Sequence, residues 1–360
     1  MTIQTDIHPA TAAFYKGKNV FITGNTGFKG TWLTRMLLDT GANVTGYSLP
    51  APTDPNLFSI LGLDGEKALR QVTGDVRDLA KLTDAMRQAQ PEIVFHLAAQ
   101  PIVRDAFRDP VSTYEINVMG TVNICEAVRQ TESVRSFLNV TTDKVYRNDE
   151  RAEGYQETDY LDGHDPYSNS KSCSELVTHS YADSFFADGR VAVSTARAGN
   201  VIGGGDFSND RIIPDCVRAI LRAVETGEEA VIGVRNPHST RPYQHVSEPL
   251  SVYLMIAMKQ YEDRSFAGCY NVGPDDEDCI TTGDLVTRFC ETWNALKGDG
   301  MPALAWENRA EENAPPEANF LKLDNSLLKK TFGWQPAMHI NQAIEEIVRF
   351  TDAFARTKLK

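Results

Sequence analysis

Short apolar runs recur along the first half of the chain, near Asn19 to Thr23, Asn43 to Tyr47, Leu69 to Thr73, Ile93 to Leu97, Ser136 to Val140 and Val191 to Thr195. Between them lie longer stretches in which apolar side chains return every three or four positions. Strand-length runs alternating with helical periods are the pattern of βαβ units. They predict an α/β fold, a Rossmann-type doubly wound parallel sheet with helices on both faces. Asp109 followed by Pro110 is an acidic cap before a proline at the first helical position, and predicts a helix to about Gln130; Asp165 and Pro166 open another in the same way. Beyond Arg197 the texture turns to loops rich in Gly, Pro and Arg, with shorter elements near Ile213 to Glu225, Ala230 to Val234 and Pro249 to Tyr261. The expectation is a first domain over residues 1–198 and a smaller C-terminal substrate-binding lobe over 199–360, some of whose segments return to the first domain.

Composition narrows the function. The 360 residues are 41% hydrophobic and 24% charged, which suits about two globular domains and is too apolar for a disordered chain. Duplex nucleic acid and anionic membranes are held through Lys and Arg, so a net charge of −13 predicts binding to neither. The acidity is concentrated in residues 261–320, whereas the Arg-bearing stretch 197–245 is balanced. No two of the six cysteines lie closer than ten positions, so there is no CxxC ligand pair and no metal site is expected. The first residues lack the basic-then-apolar pattern of a secretion signal, and no run approaches the roughly 18 apolar residues of a membrane span, so a cytoplasmic location is expected.

Directly after the first strand comes Gly24-Asn25-Thr26-Gly27-Phe28-Lys29-Gly30, opening an amphipathic helix with Trp32, Leu33, Met36 and Leu37. Glycines at this point let a chain turn tightly and bring backbone N–H groups to a pyrophosphate at a helix N-terminus. The spacing is GxxGxxG, and an ordinary strand-to-helix turn is the plain alternative. The end of the second strand, where an acid or an Arg reads the adenine ribose, is Gly46-Tyr47-Ser48-Leu49 and holds neither. Asp75 and Val76, after the third strand, are candidates to hold the adenine, although Asp75 serves equally as a cap for the helix that follows.

Tyr167 and Lys171 are four apart and share one face of a helix. A nearby ammonium favours the phenolate and turns a tyrosine into a usable general base, whereas a solvated surface pair is the bland reading of such spacing. One strand upstream, Thr141-Thr142-Asp143-Lys144 ends an apolar run, placing polar side chains at the carboxyl edge of a parallel sheet, where ligands of open α/β folds bind. Asp143 and Lys144 suit an acid and a base splayed to two atoms of one substrate, or else form a salt-bridged loop pair. Asn117 interrupts a helix with a polar side chain that is mildly unfavourable there.

Together these residues resemble the extended short-chain dehydrogenase/reductases that act on nucleotide-activated sugars. The likeness runs through the GxxGxxG loop, Gly74-Asp75-Val76, His96-Leu97-Ala98-Ala99, Asn117, Thr142, Tyr167 and Lys171, and Arg197-Ala198-Gly199-Asn200-Val201. It is strongest to the 4,6-dehydratases in Gly27-Phe28-Lys29-Gly30, Tyr47-Ser48-Leu49-Pro50, Asp165 to Lys171, Gly203-Gly204-Gly205-Asp206 and Arg241 to Val246. The resemblance implies bound NAD, held by Gly24, Thr26, Gly27, Phe28, Lys29, Gly30, Ser48, Asp75, Val76, Leu97, Ala98, Ala99 and Asn117 together with Tyr167 and Lys171. It implies that Thr142, Asp143, Lys144, Tyr167 and Lys171 carry out catalysis. It implies a nucleotide-sugar substrate, cytidine-diphosphate glucose, contacted by Gln100, Arg104, Asn200, Arg211, Arg235, Arg241 and Tyr243, with guanidinium groups on the diphosphate. It also implies a homodimer or dimer of dimers built on the helices around 106–130 and 167–186, whose apolar side chains include Ile116, Met119, Val122, Ile124, Tyr181, Phe185 and Phe186. Arg218 and Arg222 fit the outer side of a helix. The sequence departs from the family at Val145, where a Cys is usual, at Tyr243, where a Trp is usual, and over Glu312 to Asn319, which lacks a His-containing run. A sugar epimerase shares the loop, Tyr167 and Lys171 but needs no Asp143-Lys144 pair; a non-catalytic dinucleotide-binding scaffold needs none of these side chains.

Overall fold

The computed structural model of the chain describes residues 3, 7–309 and 320–359. Its main sheet has seven parallel strands, in the spatial order Cys269–Val272, Ala192–Ala198, Ser136–Val140, Ile93–His96, Asn19–Thr23, Asn43–Ser48 and Leu69–Thr73. The six apolar runs all become strands. Counted along the chain, the first six lie in the order 3-2-1-4-5-6, in which the direction of travel reverses between the first and fourth strands. The seventh, Cys269–Val272, comes from the C-terminal half and pairs with Ala192–Ala198. It is too short and too polar to stand out as a run.

Alternation of side chains across each strand builds two buried layers. Val20 and Ile22 face one layer, packing with Trp32, Leu33, Met36 and Leu37 of the helix Phe28–Asp39 and with Leu250, Tyr253 and Leu254 of the helix Ser247–Glu262. Phe21 faces the other, with Leu82 and Met86 of Leu79–Ala89 and Ile124 and Val128 of Gly120–Arg129. Each fully buried aliphatic side chain contributes about 1.5–3 kcal/mol.

Much of the C-terminal half packs as a smaller lobe around its own core, while Ser326–Phe332 returns to the main sheet beside Cys269–Val272. Asn200–Ile202, Thr240–His245 and Cys279–Thr281 make a three-stranded sheet, and Ala230–Val234 pairs with Leu304–Asn308. The helices Ile212–Thr226, Thr282–Leu296 and Ile340–Arg356 enclose a core of Ile220, Phe289, Trp293 and Ile344. Asn200–Ile202 follows Ala192–Ala198 almost without a break, so the lobe begins at the carboxyl edge of the main sheet.

The helix expected from Asp109 to about Gln130 is divided: Pro110–Tyr114 and Gly120–Arg129 are α-helical, but Glu115–Met119 is a π-turn. Asp109 caps the first part through Ser112 N. Among the described residues, no helix is long and apolar enough to cross a membrane.

Candidate active site

The three loop glycines answer to different constraints. Gly24 has φ +73°, and a Cβ there would come within 2.7 Å of the Ala98 backbone nitrogen. At Gly30 a Cβ would overlap the Gly24 carbonyl oxygen, so the helix could not lie so close to the turn. Gly27, the N-cap of Phe28–Asp39, is different: a Cβ would meet nothing nearer than 3.5 Å. The chain's own packing does not require glycine there, and no side chain caps this helix. An uncapped helix N-terminus with open space above it fits a pyrophosphate, which takes the free N–H groups and the partial positive charge.

Around this loop, Thr26 donates its hydroxyl to the Leu49 carbonyl (2.9 Å). Buried Ser48 accepts from Gln71 (3.3 Å), which also accepts from Asn25 Nδ2 (2.6 Å). Asp75 is held by the Arg77 guanidinium at 2.7 Å, which keeps its carboxyl below the usual range. The following helix is capped by Asp78, which accepts from Lys81 N, so Asp75 is not the cap. Leu97, Ala98 and Ala99 line the turn after the fourth strand, where Thr23 Oγ1 meets His96 Nδ1 at 2.7 Å. Burial pushes the His96 imidazole down to about 3.

The helix Pro166–Phe185 is capped by Asp165, which accepts from the N–H groups of Tyr167 and Ser168. Tyr167, Lys171 and Glu175 follow one another in steps of four on its buried face. Lys171 Nζ donates to the Val140 carbonyl at 3.0 Å. Asn117 reaches this helix from the π-turn: its Nδ2 donates to Ser170 Oγ (2.9 Å) and to the Gln100 carbonyl (3.0 Å), while its Oδ1 accepts from Gln100 N (2.9 Å). Three hydrogen bonds thus tie the turn after the fourth strand to the helix bearing Tyr167. They compensate the unfavourable mid-helix Asn that the sequence displays, and π-turns commonly serve such placements.

Burial pushes the Tyr167 phenol up to about 12, with the Thr142 hydroxyl and the Arg211 charge pulling it back. Burial also lowers Lys171 to about 8, opposed by Glu175. Desolvation thus dominates the phenol, contrary to the lowering expected from a lysine one turn away. Thr142 and Asp143 lie at the end of Ser136–Val140, where a short turn, Asp143–Val145, begins. Asp143 is fully buried. Its Oδ1 accepts from Thr142 Oγ1 (3.0 Å) and Lys144 Nζ (2.9 Å), but its Oδ2 is buried without a hydrogen-bond partner. Such an atom is costly to keep, and these costs are concentrated at sites of chemistry. Lys144 also donates to Asn200 Oδ1 at 3.2 Å.

Lys29 joins this group. Burial lowers its ammonium to about 7, helped by Arg211, Lys171 and Lys144 and opposed by Asp143. A lysine read in the sequence as part of the phosphate loop therefore stands in the field of the Tyr167 cluster, a reach that loop spacing does not reveal.

The other expected contacts are spread along the lobe and its rim. Arg211, the N-cap residue of Ile212–Thr226, is 3.9 Å from buried Asp206. Arg235 is ion-paired to Asp210 at 3.2 Å. Arg241 is buried and donates to the Thr240 carbonyl (2.9 Å), and Tyr243 Oη lies 2.9 Å from Thr282 Oγ1. Asn200 pairs in register with Tyr243. Arg104 is half-buried on Val103–Arg108. The Gln100 side chain turns back on its own loop, donating to Thr113 Oγ1 (3.0 Å) and accepting from Ile102 N (2.5 Å). Arg218 does not face solvent alone: it donates to the Phe207 and Ser208 carbonyls at 3.2 and 2.9 Å and so fastens the 206–211 loop. Val145 is fully buried, and Glu312 to Asn319 lies outside the described residues.

A tyrosine and lysine four apart, on the helix beside the polar end of a doubly wound sheet with a glycine loop, define a short-chain dehydrogenase/reductase type of site. The chain belongs to the GDP-mannose 4,6 dehydratase family, whose sequence profile matches residues 21–347. It is 44% identical over 349 residues to the CDP-glucose 4,6-dehydratase of Salmonella typhimurium, covering 95% of this chain and 93% of that one. Its fold is similar to that of Thermus thermophilus UDP-glucose 4-epimerase in complex with NAD (TM-score 0.76, 23% identity, 92% of this chain and 98% of that one). It is also similar to dTDP-glucose 4,6-dehydratase from Bacillus anthracis in complex with NAD (TM-score 0.75, 19% identity, 96% and 100%).

Proposed function

We propose that the chain is an NAD-dependent hydro-lyase that converts CDP-D-glucose to CDP-4-dehydro-6-deoxy-D-glucose. The observation that carries this reading is the Asp143-Lys144 ion pair, with one carboxylate oxygen left open, beside Thr142 and Tyr167. The relative at 44% identity acts, by its name, on CDP-glucose.

The dinucleotide is held by the Gly24 to Gly30 loop, with Ser48, Asp75, Val76, Leu97 to Ala99 and Asn117 around it. When bound, it supplies the hydride acceptor at carbon 4 and the hydride donor at carbon 6. Tyr167 takes the proton from the carbon-4 hydroxyl, with Thr142 and Lys171 supporting the phenolate. The ketone so formed acidifies the neighbouring C–H bond. Lys144, as the neutral amine, removes the proton at carbon 5 while Asp143 protonates the leaving hydroxyl at carbon 6. The ion pair already holds the right number of protons: moving one from Lys144 to Asp143 produces the base and the acid together. Lys144 then returns a proton to carbon 5. Asn200, Arg211, Arg235 and Arg241 hold the diphosphate and sugar, with Arg104, Gln100 and Tyr243 shaping the pocket. An epimerase has no use for the Asp143-Lys144 pair.

We further take the enzyme to be cytoplasmic and a homodimer or dimer of dimers. Val111, Met119, Leu176 and Phe185 are exposed on the two helical segments concerned, which supports packing against a second copy. Ile124 and Phe186 belong instead to the sheet's own core.

The test is to incubate the protein and NAD⁺ with CDP-, UDP-, GDP- and dTDP-glucose and follow product mass. Loss of one water from CDP-glucose, faster than from the other three, is expected. Preference for another nucleotide overturns the base assignment, and isomerisation without loss of water overturns the dehydratase reading.

A further inference from the structure

We propose that Glu175, His179 and Cys269 form a binding site for a thiophilic divalent cation of the zinc class, outside the nucleotide-sugar site. Glu175 and His179 are one turn apart on the helix Pro166–Phe185, and Cys269 opens the edge strand Cys269–Val272. His179 Nε2 lies 3.0 Å from Cys269 Sγ and 3.3 Å from Glu175 Oε2. The three donor atoms all fall within 4.8 Å of one another.

Zinc bonds to sulfur at about 2.3 Å and to nitrogen and oxygen at about 2.0–2.2 Å, so a tetrahedral site sets neighbouring donors roughly 3.3–3.6 Å apart. The nitrogen–oxygen edge already has that spacing, and the nitrogen–sulfur edge must open by about half an ångström. His179 and Cys269 are only partly buried, so solvent can reach the pair and supply a fourth ligand. One thiolate, one imidazole and one carboxylate suit zinc or cobalt and not magnesium or calcium.

The chief objection is Arg197, whose guanidinium is 2.9 Å from Glu175 and bonded also to Tyr146 Oη and the Glu157 carbonyl. Those two further bonds hold the guanidinium in place without Glu175, and a thiolate ligand offsets part of the charge that a dication brings. Thr141 and Thr195 hydroxyls donate to Glu175 and fix its orientation, the role outer partners play around metal ligands. Spacing rules based on paired cysteines miss such a site, because two ligands share a helix and the third comes from a distant strand.

The experiment titrates Co²⁺ into the purified full chain and records its absorption spectrum. Binding of one ion with a thiolate-to-cobalt band in the near ultraviolet is expected, reversed by Zn²⁺. Cys269→Ser should abolish the band, and His179→Gln should weaken Co²⁺ binding at least about tenfold. Cys173→Ser and Cys279→Ser, at the other partly buried thiols, should leave it unchanged. Absence of a thiolate band at stoichiometric Co²⁺, or a band that survives Cys269→Ser, overturns the proposal. His179→Gln is an independent variant should Cys269→Ser fail to match the parent by circular dichroism.

Discussion

In the Asp143-Lys144 pair, one buried carboxylate has an oxygen satisfied twice and an oxygen satisfied not at all. Lys144→Ala should leave the first oxidation measurable as a burst of reduced-nicotinamide absorbance while product formation falls by at least about a hundredfold, the range of a lost general base. Equal loss of burst and product would remove Lys144 from the elimination step. Tyr167→Phe should abolish both. Lys171 makes a separate prediction about stability. Its folded value of about 8 lies below the ordinary lysine value of about 10.4, so the folded state binds fewer protons than the unfolded chain between those limits. The penalty for holding its charge buried is therefore complete below about pH 8 and vanishes above about 10.4. Lys171→Met should abolish turnover yet raise thermal stability at pH 7, by roughly 1–3 kcal/mol, with the gain disappearing by about pH 10.5. A variant less stable than the parent at pH 7 would show that burial is not the dominant influence on this group.

Among the elements, the glycine loop separates what the protein needs for itself from what it keeps for a ligand. Gly30→Ala forces a Cβ onto the Gly24 carbonyl and should cost about 2–3 kcal/mol of stability. Gly27→Ala meets no close neighbour and should cost under about 1 kcal/mol, yet weaken NAD⁺ binding severalfold. Calorimetry and NAD⁺ titration on the two variants check this, and an unchanged affinity in Gly27→Ala would count against a pyrophosphate above that helix. Much of this element was legible in the sequence, because strand, glycines and helix follow one another directly. The strands were legible for the same reason: six apolar runs alternate with helical periods. Less legible was what depends on distant partners. Asp75 reads equally as an adenine contact or a cap until Asp78 is seen to fill the cap position. The π-turn at Glu115–Met119 exists because Asn117 bonds to Gln100 and Ser170, which no helical period records. Cys269–Val272 becomes a strand only by pairing with Ala192–Ala198, and buried Arg197 finds Glu175 across a helix that the sequence places apart from it. Lys29 reads from its loop as a dinucleotide contact, and its exposure to the charges of Lys144 and Lys171 is not visible there.

For the whole molecule, the net charge of −13 and an anionic substrate are reconciled by where the cations sit. Arg211, Lys171, Lys144 and Asp143 all act on Lys29, near the carboxyl edge of the sheet where the lobe begins. The acids of 275–278 are instead matched locally by Lys322, Lys329 and His339. The cations are thus gathered locally in a chain that is acidic as a whole, which suits a diphosphate. The proposed reaction is one closed redox cycle that brackets an elimination at this cluster. It is tested most directly by turning over CDP-glucose labelled with deuterium at carbon 4 in ordinary water, and unlabelled CDP-glucose in deuterated water, with the products read by NMR. The carbon-4 label should move to carbon 6 of the same molecule, and solvent deuterium should appear at carbon 5. A product with no solvent label at carbon 5, or with a carbon-6 hydrogen taken from solvent in place of carbon 4, would contradict it.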